Sequence, residues 1–289
     1  MRRCLQCAGL FENSDWICPD CGFHPEEREG IRVFAHDLAE INDGWSSDFS
    51  ERMARDEEKH FWFVNRNRLI VWAIQRFFPE AADYFELGCG TGFVLSGVRK
   101  DFPHLRLSAS DITLESLPFA KRRVPDADVF QMDGRKIPFT EEFDVIGAFD
   151  VLEHIEEDEA VLSEIHRAIR PGGGILITVP QHPFLWSVVD DFSYHKRRYT
   201  RKELVEKVAR AGFKVSRCTS FVTVLLPLFL LSRLRMPKDP GDFDPASEYR
   251  IGDFSNGLLG SALALEQSLI RLGVNLPFGS SLFLAASRR

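Results

Sequence analysis

The sequence lacks the segments that would place a protein in a membrane or export it. No run reaches the roughly 18 apolar residues needed to span a bilayer. The two arginines near the start are not followed by an apolar stretch, so the sequence shows no secretory signal. We therefore expect a soluble, cytoplasmic protein whose thiols stay reduced.

An excess of positive charge is also missing. The net charge of −7 gives no general attraction to nucleic acid, although a local basic patch could still act. Hydrophobic residues make up 44% and charged residues 27%, an ordinary globular balance that excludes a disordered chain. With 289 residues and no internal repeat, the chain can form one large domain or two.

Cysteine is rare after the first 21 residues, where four of the six occur. The four are Cys4, Cys7, Cys18 and Cys21, arranged as two C-x2-C pairs. In a reducing compartment this spacing predicts a structural zinc site in a ribbon over residues 1–30. A coincidence, or disulfides in a secreted protein, is the alternative. Cys89 and Cys218 stand alone and are more typical of small packing residues than of reactive thiols.

Strand and helix patterns alternate after the ribbon. Residues 31–50 are polar and mixed, which predicts a linker, and 51–78 show helical spacing. Apolar strand candidates follow at about 83–87, 105–110, 127–131, 143–149, 174–179 and 213–219, with a last one in "SLFLAAS". The strands are separated by amphipathic stretches. This predicts an α/β fold with a doubly wound, seven-stranded, mostly parallel sheet over residues 51–289.

Three glycines directly follow the first of these strands, in "ELGCGTG". Glycines at the carboxyl end of a strand permit a tight turn and let a ligand approach the backbone. The next strand ends at Asp111, 19 residues after Gly92, the spacing at which a carboxylate accepts hydrogen bonds from ribose. Together these features predict a nucleoside-containing cofactor.

The loop distinguishes between cofactors. A dinucleotide fingerprint needs glycine or alanine at position 93, where this chain has phenylalanine. Glu86 precedes the glycines instead. A carboxylate there would repel a pyrophosphate and attract the cationic amino-acid part of a sulfonium cofactor. The pattern therefore favours S-adenosylmethionine over a nicotinamide cofactor.

Several segments in order carry a family resemblance. "ELGCGTG", Asp111, "QMDGRKIPF", "FDVIGAFDVLEHI" and "RAIRPGGGILITVP" resemble the successive motifs of class I S-adenosylmethionine-dependent methyltransferases, a Rossmann-like family. The match is closest to the subgroup with quinone-biosynthesis and small-molecule enzymes. It covers about residues 80–220, and the final "GSSLFLAAS" resembles the family's last, antiparallel strand. The N-terminal ribbon is similar to zinc-ribbon heads found on some members.

The resemblance implies a set of cofactor-binding residues. These are Glu86, Gly88, Cys89, Gly90, Gly92, Asp111, Ile112, Met132, Asp133, Gly134, Phe149 and Asp150. The glycines would carry the methionine part, with Glu86 near its ammonium. Asp111 would hold the ribose, Ile112 would pack on the adenine, and Asp133 would accept from the adenine amino group. Met132 and Gly134 would lie beside the ring, and Phe149 and Asp150 would border the transferred methyl.

The acceptor side is less defined. His154, in "LEHI", is the nearest candidate for a general base, and a helix-start residue that orders the loop is an equal alternative. "QHPFLWSVVDDFSYHKRRYT" should form a loop over the substrate. It offers His182, Asp190, Tyr194, His195, Arg198 and Tyr199. Arginine there suits a carboxylate or phosphate, and a solvated basic turn capped by Thr200 is the alternative.

Two further segments lie near the predicted site. Trp62 and Arg66 are four apart and share a helix face. The family resemblance implies that this helix can cover the cofactor, with Arg66 reaching its carboxylate, although core packing is favoured for Trp62. An apolar insertion at about 221–275 begins with "FVTVLLPLFLL". Buried core is its simplest interpretation. The sharper hypothesis is a lid over a lipid-linked acceptor, or peripheral membrane contact through residues 221–236.

The sequence thus predicts methyl transfer from S-adenosylmethionine to a small-molecule or lipid-linked acceptor. One alternative is an RNA methyltransferase in which the ribbon and "HKRRYTRK" hold nucleic acid, but the acidic total charge disfavours this partner. Another is a non-catalytic module that binds a nucleoside or recruits a partner. Intact motifs from Glu86 through Asp150 argue against such a loss of activity.

Overall fold

A computed structural model describes residues 1–39, 47–235 and 250–289 of the chain. Part of the predicted linker, residues 40–46, and part of the predicted insertion, residues 236–249, lie outside the described residues. The described strands are β1 Arg2–Arg3, β2 Leu10–Phe11, β3 Glu26–Arg28, β4 Ile31–Val33, β5 Asp83–Leu87, β6 Arg106–Asp111, β7 Asp128–Gln131, β8 Phe143–Phe149, β9 Ile169–Pro180, β10 Phe213–Phe221 and β11 Ser281–Arg288. The described helices are α1 His36–Ala39, α2 Ser47–Asp56, α3 Phe61–Phe77, α4 Phe93–Asp101, α5 Leu117–Arg123, α6 Asp158–Ala168, α7 Val188–Phe192, α8 Arg201–Arg210, α9 Leu226–Arg235 and α10 Asp253–Arg271.

One large sheet dominates the described chain, in the order β10-β11-β9-β8-β5-β6-β7-β4-β3. β5 pairs in parallel with β6 on one side and β8 on the other, and β8 pairs in parallel with β9. β11 is antiparallel to both β9 and β10. The predicted doubly wound, mostly parallel sheet is confirmed. Strand order reverses between β5 and β8, which is where ligands bind in such sheets.

The sheet has two strands more than the seven predicted, and both come from the region before residue 51. β4 pairs in parallel with β7, and β3 pairs antiparallel to β4. Residues 31–33, which the sequence predicts as linker, therefore extend the sheet. Three-residue strands are too short to show a periodic sequence pattern. They are recognised only by their hydrogen bonds to neighbouring strands.

Strands β5 and β8 lie in the middle of the sheet and are almost entirely buried. Helices cover both faces, so β8 is mostly apolar and does not alternate, while β5 buries two acids, Asp83 and Glu86, among its apolar residues. The helix predicted over 51–78 is two helices. His60 ends the connection between them, because its ring nitrogen accepts the Trp62 backbone N–H at 3.3 Å and so caps α3.

The predicted apolar insertion places α10 against the first turns of α3. The side-chain amide of Gln267 in α10 donates to the Asn65 carbonyl at 2.5 Å, and Asn256 accepts the Phe61 N–H at 2.8 Å. α9 is half exposed, with Leu228 showing 56% of its surface. None of the described helices is long and apolar enough to cross a membrane.

Candidate functional site

The loop after β5 has three glycines with positive φ, at +71° for Gly88, +50° for Gly90 and +77° for Gly92. A Cβ on Gly88 would collide with Val151, and one on Gly92 would lie 2.7 Å from the Ala120 Cα. A Cβ on Gly90 would meet no atom within 4 Å. Two glycines thus serve packing inside the protein. Gly90 keeps a surface open.

Asp111, at the end of β6, holds this loop in place. Its Oδ2 accepts the Gly90 N–H at 2.8 Å, and its Oδ1 accepts the Thr113 N–H at 3.2 Å. Burial raises the pKa of the Asp111 carboxyl despite these hydrogen bonds. The Thr113 hydroxyl also donates to Oδ1 at 3.3 Å, so the capacity for a further donor lies mainly on Oδ2. Ile112 beside it exposes 39% of its surface, an apolar side chain left open at this edge.

The residues predicted beside an adenine are arranged differently from the expectation. Arg135 donates its backbone N–H and its Nε to Asp133, at 2.9 and 3.0 Å, so this carboxylate is already paired inside the protein. Met132 is fully buried, and a Cβ on Gly134 would lie 3.2 Å from Leu87. Asp133 could contact a ligand only by sharing its pairing with Arg135.

Glu86 is buried in the strand just before the glycine loop. The Tyr84 hydroxyl donates to its Oε2 at 3.4 Å. Burial raises the pKa of Glu86 to about 8, and the negative charges of Asp111 and Glu57 act in the same direction, while the Arg66 guanidinium opposes the rise. Without a ligand this carboxyl is therefore largely protonated at neutral pH.

Asp150 follows β8 on the other side of the reversal point. Its backbone has a φ of +56°, a conformation costly for a residue with a side chain and common at functional sites. Arg66 makes an ion pair with it, and the Thr178 hydroxyl donates to it at 3.1 Å. The Arg66 guanidinium also lies 4.5 Å from the centre of the Trp62 ring. α3 therefore covers this end of the sheet, while Phe149 is buried behind it.

A buried cluster missed by sequence reasoning ties the segment before α3 to the glycine loop. Glu57 accepts hydrogen bonds from the Thr91 hydroxyl and from Arg123. Arg123 also donates to the Ala54 carbonyl at 2.6 Å. No local motif marks these residues, because they come from three separate segments.

His154 lies in the turn that follows Asp150. Its pKa is lowered to about 3, chiefly by burial and also by the nearby His195. A histidine this weakly basic stays neutral near pH 7 and is a poor proton acceptor. The geometry thus gives little support to the predicted general base.

Many polar side chains of the loop after β9 bond to other residues of the protein. The Asp190 carboxylate accepts hydrogen bonds from His195 Nδ1 at 2.9 Å and from Arg198 Nε at 2.7 Å. Arg198 is buried, so its guanidinium is not free for a substrate anion. Tyr199 is in the core, where its hydroxyl donates to Asp158 at 2.7 Å. Both side chains are thus bonded within the protein, and their contact with a substrate stays a prediction.

The remaining predicted substrate residues stay at the surface. Tyr194 and His182 both have positive φ, at +55° and +64°. Tyr194 is half exposed, and the His182 ring stacks 6.1 Å from that of Phe278. The helix after this loop starts as expected, because the Thr200 hydroxyl accepts the Glu203 N–H at 3.2 Å.

The basic stretch "HKRRYTRK" is largely neutralised by the protein. Arg197 pairs with Asp158 at 3.0 Å, and Arg201 donates to the Cys218 carbonyl at 3.2 Å. Lys202 lies 3.9 Å from Glu206. A nucleic-acid grip needs free cations along the surface, and this segment offers few.

The four N-terminal cysteines converge at one point. Cys4 and Cys21 sulfurs are 3.5 Å apart, Cys7 and Cys18 sulfurs are 3.6 Å apart, and all four lie within 4.8 Å of one another. Cysteines elsewhere are inert. Burial raises the thiol pKa of Cys218 to about 11, and raises that of buried Cys89 well above its usual value.

A doubly wound sheet with an open glycine loop and acids closing the adjacent strands defines a Rossmann-like cofactor-binding domain. Residues 85–177 match a family model described as "Methyltransferase domain". The chain carries a domain of the class I S-adenosylmethionine-dependent methyltransferase family, with a four-cysteine cluster at its N-terminus.

Relatives and a solved structure agree with this assignment. The chain is 28% identical, over 55% of its length and 61% of the relative's, to a protein of Mycolicibacterium smegmatis named "Probable S-adenosylmethionine-dependent methyltransferase". It is 26% identical, over 33% of its length and 40% of the relative's, to the ubiquinone/menaquinone biosynthesis C-methyltransferase of Desulfotalea psychrophila. The chain thus spans less than two thirds of either relative.

The fold resembles that of Haemonchus contortus phosphoethanolamine N-methyltransferase 2, solved in complex with S-adenosyl-L-methionine. The TM-score is 0.57 with 20% identity, over 90% of this chain and 61% of that one. At this identity the likeness supports the fold alone. Membership of the quinone subgroup stays a prediction, since only a short match to a quinone enzyme points to it.

Proposed function

We propose that this protein transfers a methyl group from S-adenosylmethionine to a small-molecule or lipid-linked acceptor. The observation that carries the proposal is Gly90. It is open to solvent space at a positive φ, and Asp111 fixes its N–H at the point where strand order reverses. A backbone held open this way suits a ligand that lies directly on it.

The residues present fit such a cofactor. Gly90 gives backbone access, Asp111 has free acceptor capacity for ribose hydroxyls, and Ile112 gives an exposed apolar surface for a ring. When bound, S-adenosylmethionine supplies a methyl group on a sulfonium that is already a good leaving group. The protein then has mainly to orient the acceptor and to exclude water.

Charge supports a cationic cofactor over an anionic one. Glu86, Asp111 and Asp150 close three adjacent strands, and Arg66 is paired with the last of them. The pKa of Glu86 rises partly because Asp111 and Glu57 are close enough to repel its charge. A pyrophosphate would add to this repulsion, whereas a sulfonium and an ammonium would relieve it.

α2 and α3 are suited to cover the bound cofactor. Glu57 and Arg123 pin the end of α2 to the glycine loop through Thr91. Arg66 brings α3 to Asp150. A cover held by ion pairs excludes water from the reacting atoms and can open for exchange.

Cofactor binding is tested by calorimetry with S-adenosylmethionine and its demethylated product. Asp111→Asn should weaken binding at least tenfold, since it loses a charged acceptor for the ribose and for Gly90. Asp128→Asn, at the opposite end of β7, is the matched control and should bind normally. Equal affinity of both variants would refute the role of Asp111, and no binding to the wild type would refute the cofactor assignment. Transfer of labelled methyl to cell extract separates an enzyme from a non-catalytic binding module.

A lipid-linked acceptor is favoured by apolar surface near the substrate loop. The Arg198 guanidinium lies 5.8 Å from the Phe229 ring of α9, so α9 borders this loop. Leu228 and Leu231 on α9 are exposed, as is Phe184 in the loop itself. Single exposed leucines are ordinary, but a group beside a binding site is not.

Flotation with liposomes tests this acceptor class. The double variant Leu228→Glu, Leu231→Glu should lose association with anionic or neutral vesicles. Leu10→Glu, an exposed leucine of the ribbon, should not. Unchanged flotation of the double variant would refute membrane contact through α9. No flotation of the wild type would leave a water-soluble acceptor as the favoured class.

The four-cysteine cluster fits a structural zinc ion. Tetrahedral thiolates at about 2.3 Å from zinc lie roughly 3.8 Å apart, close to the sulfur separations of the cluster. Metal analysis of the purified protein should find zinc at this site. Loss of that zinc on replacing Cys7 and Cys21 by serine is the expected result, and retention would contradict it.

A further inference from the structure

Three potential metal ligands meet beside the proposed active site, away from the cysteines. Glu153, His154 and His195 each direct a ligand atom into one space, and these atoms lie within 4.8 Å of one another. Glu153 and His154 come from the turn after β8, while His195 comes from the loop after β9. Small side-chain rotations would bring all three onto one ion.

Glu153 is the most unusual member. Its side chain is 0% exposed, and neither carboxylate oxygen has a hydrogen-bond partner. Buried polar atoms nearly always have a partner, and a fully buried carboxyl without one is costly. A missing ligand at this position accounts for both unpaired oxygens.

Both histidines are oriented as metal ligands are. His195 Nδ1 is held by the Asp190 carboxylate at 2.9 Å, which leaves Nε2 for the cluster. The His154 ring lies within hydrogen-bonding reach of the Ser193 main chain. Metal-binding histidines almost always use their second nitrogen in this way, with a carboxylate or a carbonyl. Asp190 is itself fixed by Arg198 and Ser187, so the His195 ring has a rigid support.

We infer that Glu153, His154 and His195 bind a divalent cation. Two imidazoles with one carboxylate suit Zn²⁺, Mn²⁺ or Fe²⁺, and three protein ligands leave positions for a further molecule. The two histidines are only partly buried, so the open positions face the accessible side. The site is chemically distinct from the four thiolates of the ribbon, which favour softer ions.

A cation here would lie close to Asp150, three residues before Glu153. It would attract an acceptor that carries oxygen atoms, such as a hydroxyl or a carboxylate. Coordination would favour loss of a hydroxyl proton. This role in holding the acceptor rests on the proposed methyl transfer. The metal site itself does not.

Calorimetry on the full chain with a zinc-loaded ribbon tests the site, with no cofactor or acceptor present. Titration with Zn²⁺, and separately with Mn²⁺, should reveal one additional site per chain for at least one ion. Glu153→Gln, His154→Ala and His195→Ala should each weaken it at least tenfold. His104→Ala, an exposed histidine at the other end of the sheet, should not. Because cofactor binding is measured separately, failure of either proposal is recognised without the other.

A second measurement covers variants that fail to fold. In wild-type protein labelled with ¹⁵N-histidine, added Zn²⁺ should shift the imidazole signals of His154 and His195 and leave that of His104 unchanged. Absence of an additional site for both ions would overturn the inference. So would full affinity in the folded variants, or shifts that spare both histidines.

Discussion

Replacing Glu86 with glutamine should uncouple cofactor binding from proton release. In the free protein burial raises the pKa of this carboxyl to about 8. The ammonium group of S-adenosylmethionine would stabilise the ionised form and lower that pKa. Binding at pH 7 should then release about 0.9 proton per site, the fraction of Glu86 that is protonated beforehand.

The same coupling sets the pH dependence of affinity. Below about pH 8 the wild-type affinity should rise up to tenfold per pH unit, because ionisation of Glu86 accompanies binding. Above that pH it should fall, since an α-ammonium loses its proton near pH 8. The Glu86→Gln variant should show only the decrease in affinity above about pH 8. Calorimetry in buffers with different ionisation enthalpies reads the proton count directly.

Stability of the cofactor-free protein should show the reverse trend. A folded-state pKa raised above the unfolded value means that the fold favours protonated Glu86. Its contribution is therefore complete below about pH 4 and is lost as pH rises toward 8, at up to about 1.4 kcal/mol per pH unit. Denaturant unfolding should show this slope in the wild type and its absence in Glu86→Gln. Glu80→Gln, exposed before β5, is the control. For the binding experiment, wild-type heats that do not depend on the buffer at pH 7 would refute the predicted proton release from Glu86.

Three more predictions concern the loop, the ribbon and the core. Gly90→Ala should abolish cofactor binding at a stability cost of about 1 kcal/mol, because its new Cβ fills the open surface at a positive φ. Gly92→Ala should cost more than about 2 kcal/mol, as its Cβ also meets backbone; equal costs in denaturant unfolding would contradict this. Chelation of zinc should expose Trp16 and shift its fluorescence to longer wavelength, and an unchanged spectrum would argue against a structural ion. Tyr199→Phe should destabilise the fold by about 1–2 kcal/mol through loss of its bond to Asp158, while the KM for cofactor stays constant; a changed KM would return Tyr199 to the site.

Local pattern was sufficient for the central strands and for the cofactor loop. β5 occupies residues 83–87 as predicted, since its apolar run is bounded by a proline turn and a glycine loop. The open Gly90 and the carboxylate of Asp111 also meet as the spacing predicts, because both follow neighbouring parallel strands. Chain geometry at the carboxyl edge of a sheet leaves such residues little freedom.

The sequence pattern was insufficient where a residue's role depends on partners that are distant in the sequence. The sequence named His154 and His195 for different tasks, because 41 residues separate them and nothing local shows that their rings lie 4.7 Å apart. Glu153 drew no attention, since a glutamate beside a histidine is common and only burial makes it unusual. Arg198 and Tyr199 were predicted on the substrate side, whereas both are buried and bonded within the protein. Their partners, Asp190 and Asp158, come from other parts of the chain.

Packing also redefines how the ribbon relates to the methyltransferase domain. Composition divides the chain at about residue 30, yet the Trp16 ring lies 4.9 Å from Phe34, 5.8 Å from Phe130 and 5.3 Å from Phe139. These rings belong to one hydrophobic core that includes buried Cys4.

The consequence reaches the cofactor side of the sheet. β4 pairs in parallel with β7, whose last residue, Gln131, also accepts the Ala35 N–H at 3.0 Å. The same Gln131 amide donates to the Ile112 carbonyl at 2.8 Å. Ile112 directly follows Asp111, so the segment that leaves the ribbon is bonded to the segment proposed to hold the ribose and adenine. A head meant to reach a distant partner would need a free hinge. The ribbon instead shares the core that positions the proposed cofactor site, so zinc bound at the proposed ribbon site would support cofactor binding through packing.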